Sequence, residues 1–139
     1  MRMAQGRLAI ETRGQGLYEV TAQAASWVAA QTISTGLLTL FLRHSSASLL
    51  IQENAAPEVR EDLLDFLRGL APEDAARWRH DDEGPDDMPA HVKSALLPTQ
   101  LAVPVADARL LLGTWQGIYV VEHRRAPHRR ELVLHLAGE

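Results

Sequence analysis

Residues Leu101 to Ala137 read LAVPVADARLLLGTWQGIYVVEHRRAPHRRELVLHLA, and most of the fold expectation rests on them. Leu101-Ala102-Val103-Pro104-Val105 has the length and composition of a strand, and Pro104 assigns it to an edge or a bulge. Leu110-Leu111-Leu112 is a second strand, closed by a turn at Gly113-Thr114. Trp115 to Glu122 is a third, with Gly117 as a bulge or a point of close backbone approach. Glu131 to Ala137 is a fourth, in which Leu132, Leu134 and Leu136 recur at the period of a half-buried strand. Arg124 to Arg130 reads as the loop of a hairpin joining the last two.

Upstream the pattern changes. Leu8 to Thr12 reads as a short strand, with another short extended piece at Tyr18 and Val20. Thr21 is placed to cap a helix reaching about Ser34, with Ala24, Val28 and Trp27 facing inward, and Gly36 ends it. Leu37–Leu42 and Leu49–Ile51 are short apolar runs suited to buried strands, separated by the polar patch His44-Ser45-Ser46-Ala47-Ser48. Pro57 opens the clearest helix, whose apolar face is Val59, Leu63, Phe66, Leu67 and Leu70. A helical turn is expected from about Glu73 to Trp78. Another helix opens near Pro89 and carries His91, Val92, Ala95 and Leu96. Strands, helices, then strands again give an α+β class with a largely antiparallel sheet.

The chain has 139 residues, enough for one domain with its own core, so a single domain over 1–139 is expected. It contains no cysteine, which excludes disulfides, thiolate catalysis and cysteine-type zinc sites. A net charge of −4 offers no global basic field for nucleic acid. No apolar run approaches the ~20 residues that span a membrane. A soluble protein of the cytoplasm is the expectation.

The chemistry concentrates in His80-Asp81-Asp82-Glu83-Gly84-Pro85-Asp86-Asp87-Met88-Pro89-Ala90-His91, where five carboxylates and two histidines occupy twelve residues. Such a run can hold a divalent cation; carboxylates suit magnesium, and imidazoles shift preference towards zinc. The spacing matches neither a His-Glu-x-x-His helix nor an EF-hand loop. The alternative is a solvated acidic loop in which Asp86 or Asp87 caps a helix. His44 sits at the mouth of a buried strand, as a metal ligand or a general acid/base, beside Ser46 and Ser48, which can cradle phosphate. Alternatively it is a hydrogen-bonded core histidine. Glu53 can face the same cavity, and neighbouring Asn54 can cap the Pro57 helix. Gly113-Thr114-Trp115-Gln116-Gly117 sets an amide beside an aromatic, or is only a bulge with a core tryptophan. Arg124, Arg125, Arg129 and Arg130 offer guanidinium forks for phosphate, or an exposed tip.

Taken together, these segments resemble the YjbQ-like family, described as secondary thiamine-phosphate synthase-type proteins. The matching motifs are His44-Ser45-Ser46-Ala47-Ser48-Leu49, Glu53-Asn54, His80 through His91, Gly113-Thr114-Trp115-Gln116-Gly117-Ile118, Glu122-His123-Arg124 and Arg129-Arg130. The resemblance implies a fold of two packed sheets, a homotrimer, and a site near subunit boundaries. It also implies a weak transferase joining a pyrimidine diphosphate to a thiazole phosphate with release of diphosphate. In that reading His44, Glu53, Asp87 and His91 are catalytic. Ser46, Ser48, Trp115, Gln116, Arg124, Arg129 and Arg130 bind a small phosphorylated metabolite, and His44, His80 and His91 hold magnesium or zinc. The same residues would suit a metal-dependent hydrolase of a small phosphorylated metabolite, or a non-catalytic binding module.

Overall fold

Leu132, Leu134 and Leu136 are fully buried, while Glu131, Val133 and His135 between them are only half-buried. A strand so patterned packs one face on a core, and each leucine contributes about 1.5–3 kcal/mol through burial. In the computed structural model, which describes residues 1–139, this strand is the last of eight. The elements are β1 (Arg2–Thr12), β2 (Gly16–Glu19), α1 (Thr21–Ala29), β3 (Gly36–Leu42), β4 (Ala47–Glu53), α2 (Pro57–Leu70), α3 (Asp87–Leu96), β5 (Gln100–Ala106), β6 (Arg109–Leu110), β7 (Gln116–Glu122) and β8 (His128–Gly138). A 3-10 turn lies at Ala75–Arg77.

Two antiparallel sheets form, one of five strands in the order β1-β8-β3-β5-β6 and one of three in the order β2-β7-β4. The expected α+β class with two packed, antiparallel sheets is the observed one. Leu38, Leu40 and Leu42 of β3 and the β8 leucines share one apolar cluster with Leu49 of β4 and Ile118 and Val120 of β7, so the sheets pack face to face. Ala24 and Val28 of α1 join that cluster. β7 is buried on its second face too, where Tyr119 meets the Arg60 guanidinium of α2 at 5.7 Å from its ring centre. Ser94 of α3 donates to the Ala47 carbonyl of β4, so both helices lie against the three-stranded sheet. No helix is long and apolar enough to cross a membrane.

Several local expectations change. β7 and β8 are not a hairpin: they belong to different sheets, and residues 123–127 carry the chain between them. The reason is that β8 has both edges occupied, by β1 from Arg2↔Gly138 to Thr12↔His128 and by β3 from Gly36↔Gly138 to Leu42↔Leu132. α1 stops at Ala29 rather than Ser34, and Gly36 begins β3 instead of closing a helix. Thr21 does not cap α1; its hydroxyl accepts the Ile118 N–H at 2.8 Å and donates to Glu19. On α2 only Leu67 is buried, and Phe66 is 66% exposed. Trp115 is no core tryptophan, being 64% exposed.

Candidate metal centre

The acidic run folds as a loop followed by the first turns of α3. Gly84 takes a left-handed φ of 102°, which reverses the chain so that His80 and Glu83 face the helix start. Asp87 and His91 are one helical turn apart and therefore share a face. One donor atom from each of His80, Glu83, Asp87 and His91 lies within 4.8 Å of the others. His80 Nε2 is 3.2 Å and His91 Nε2 3.3 Å from Asp87 Oδ2, and His80 Nε2 is 2.9 Å from Glu83 Oε2. Asp87 Oδ2 is buried and accepts no hydrogen bond, whereas its twin Oδ1 accepts from Arg124 at 2.8 Å. A buried carboxylate oxygen without a donor is costly. Here it faces two imidazole nitrogens that approach without forming hydrogen bonds to it, as donors converging on a common cation would. Two nitrogens and two carboxylate oxygens fit zinc and its neighbours better than magnesium.

Arg124 ties this group to the interior. Its guanidinium donates to Asp86 and Asp87, and to the Glu83 carbonyl at 2.9 Å. Burial works to raise the Asp86 pKa, but the Arg124 guanidinium and the Arg125 N–H outweigh it and hold the carboxyl below its ordinary value. The Arg124 N–H donates to Glu122, a fully buried carboxylate that also accepts from Thr12 at 2.6 Å and Arg130 Nε at 2.7 Å. Burial opposes charge on Glu122 as well, yet Arg130 and Thr12 keep its pKa lowered. Arg130 also donates to the Ser46 hydroxyl at 3.0 Å. Beside it, Ser48 Oγ and His123 Nε2 lie 2.9 Å apart in the core. Desolvation, helped by the Lys93 charge, lowers the His123 pKa to about 3, so this imidazole is neutral.

Of the residues singled out in the sequence, His80, Asp87, His91 and Arg124 come together at this centre. Ser46 and Arg130 join the internal network around Glu122, and Ser48 pairs with His123 beside it. His44 is not among the four converging donors; its Nε2 accepts the Glu131 N–H at 2.8 Å, and desolvation, reinforced by Arg130, lowers its pKa. Glu53 Oε2 accepts the N–H groups of Ala55 and Ala56 at the entry to α2, each at 2.9 Å. Gln116 folds back onto the Gly113 N–H at 2.8 Å. Arg129 pairs with Glu11 on the surface. Sequence reasoning gave Glu83 no role of its own, read Asp86 only as a helix cap, and did not assign Glu122 the buried pairing it has with Arg130 and Thr12. The Glu122-His123-Arg124 triplet carried the signal for the last, since a charge inside an apolar strand must be paired.

Comparison with known proteins agrees with the fold and with the family resemblance. The family described as UPF0047 protein YjbQ-like matches residues 6–139. The UPF0047 protein sll1880 of Synechocystis is 49% identical over 99% of this chain and 94% of its own. The UPF0047 protein YjbQ of Escherichia coli O157:H7 is 40% identical over 97% of this chain and 98% of its own. Among solved structures, hypothetical protein APE1520 of Aeropyrum pernix superposes with a TM-score of 0.83 at 30% identity, covering both chains completely. A Sulfolobus solfataricus protein reaches a TM-score of 0.87 over 99% of this chain and all of its own, at 24% identity, which bears on the fold alone. That protein is described as YbjQ-like and of unknown function. These findings overturn the thiamine-phosphate synthase expectation and its hydrolase alternative: neither the family description nor these relatives' names carry a synthase, transferase or hydrolase activity. From residue 6 to its last residue this chain belongs to the YjbQ-like UPF0047 family.

Proposed function

We propose that this chain works through a single divalent ion of the zinc class, held by His80, Asp87 and His91 with Glu83 as fourth donor. The observation that carries the reading is Asp87 Oδ2, buried, without a hydrogen bond, and 3.2 and 3.3 Å from two imidazole nitrogens. Arg124 and Asp86 keep the Asp87 carboxylate oriented from behind, a role that outer-layer partners play around metal ligands. Bound there, such an ion supplies Lewis acidity. The chain's own part is to fix the donor geometry and leave one side open, since His80 and Glu83 are exposed. Titrating zinc into metal-stripped protein by calorimetry tests this. About one ion should bind per chain, and the His80→Ala/His91→Ala double variant should bind none. Equal binding by the double variant would remove the reading.

Self-association as a homotrimer is the second part of the proposal. Met3, Ala137, Leu37 and Pro104 lie side by side across β1, β8, β3 and β5. Met3 and Leu37, with Phe41 further along β3, are exposed on that sheet's outer face. A row of apolar side chains across four strands is what subunit contacts cover. The resemblance supplies the number three.

A further inference from the structure

A second cavity, of about 580 Å³, shares no lining residue with the metal centre. Its walls are Arg13 and Gln15 between β1 and β2, Arg68 of α2, Glu73, Lys93 of α3 and Arg125. Four cations thus face one carboxylate, and that carboxylate, Glu73, is already paired with Arg125. Lys93 is the only lysine in the chain, and it is 4% exposed. No carboxylate comes within ion-pair distance of it; Asp86 attracts it only from further away, and Arg68 repels it. A buried cation without an anion is an expensive feature for a fold to retain.

The surrounding groups are held in place. The Gln15 side chain donates to the His123 carbonyl at 3.2 Å and accepts from Arg68 Nε at 3.0 Å, which fixes the Arg68 guanidinium. Asp65 takes another Arg68 N–H from outside the cavity lining. The Arg13 N–H donates to the Tyr18 hydroxyl at 2.9 Å, and that hydroxyl donates to the Gly14 carbonyl at 2.7 Å. Gly14 has φ 129°, and a Cβ there would stand 2.9 Å from the Arg125 carbonyl oxygen, so only glycine lets this turn lie against Arg125. Groups fixed in advance lose little freedom when a ligand arrives. Only one of the nine lining residues is hydrophobic, which leaves no seat for a large apolar ligand and favours a small, highly charged one.

We propose that this cavity binds the phosphoryl group of a small anion, free phosphate or a phosphate ester, with Lys93 and Arg68 as its principal cations. Guanidinium forks match phosphoryl oxygens, and an ammonium adds a compact point charge. The site is separate from the metal centre, so its test runs with chelator present. Inorganic phosphate and glycerol phosphate are titrated calorimetrically into the full-length chain at constant ionic strength. Saturable binding of either is expected, weakened about tenfold or more by Lys93→Met and by Arg68→Gln, each checked for folding by circular dichroism. Arg109→Gln, on β6 and outside the cavity, should leave affinity unchanged. Tighter binding of phosphate identifies the free ion as the source, and tighter binding of the ester identifies a metabolite. Absence of saturable binding up to millimolar concentrations of both would overturn the proposal. So would wild-type affinity in Arg68→Gln and any folded Lys93→Met protein.

Discussion

His123 shows how one buried side chain can set a pH limit on the molecule. Its pKa falls from 6.5 to about 3 because burial strips the imidazolium of water and Lys93 repels it. Between those values the unfolded chain binds a proton that the folded chain refuses. Stability is therefore retained above about pH 6.5 and lost as the pH falls towards 3, by roughly 1.4 kcal/mol per pH unit from this one group. Glu122 adds loss in the same direction at lower pH, because its folded pKa is also depressed. Denaturant titrations at a series of pH values should show the slope begin just below 6.5 in the wild type. In His123→Gln that early slope should shrink to the share left by His44, whose folded pKa is also lowered; an unchanged slope would assign the proton to another group.

Strands and helices differ in how plainly the sequence announces them. Leucine alternation in β8 and Pro57 at the first position of α2 are local signals, and both elements stand where those signals put them. The partner of β8 is not local. Gly138 pairs with Arg2 at the opposite end of the chain, so the hairpin expected from proximity gives way to a crossing between sheets. The cluster of converging donors was legible because His80, Asp87 and His91 fall within one short run. The cation-lined cavity was not, because Arg13, Arg68, Lys93 and Arg125 are scattered and only the packing of α2 and α3 gathers them. Glu53 was legible as a polar residue after a strand, but whether it binds the α2 entry amides or a ligand depends on loop geometry. Strand pairing also carries a prediction. A Cβ on Gly138 would lie 1.9 Å from the Thr35 carbonyl oxygen, so Gly138→Ala must push β8 from β3. It should lower stability by about 2 kcal/mol or more, read as a lower denaturation midpoint. An unchanged midpoint would mean that the chain end is loosely held.

At the scale of the whole molecule, two sheets supply the core, and the helices against the smaller sheet carry the charged chemistry. α3 contributes to both candidate sites: Asp87 and His91 to the proposed metal centre and Lys93 to the cavity. The outer face of the larger sheet leaves Met3, Leu37 and Phe41 exposed, and in the proposed trimer the subunit contacts lie there. Sedimentation equilibrium should accordingly give three times the 15.4 kDa chain mass, and Phe41→Glu should reduce it to one; a monomeric wild type would refute the trimer. The metal reading turns on a single oxygen atom. Zinc calorimetry on metal-stripped Asp87→Asn, compared with wild type, addresses that atom directly. An affinity loss of about a hundredfold or more, in a protein whose circular dichroism is unchanged, is the predicted result. Wild-type affinity in Asp87→Asn would contradict the account.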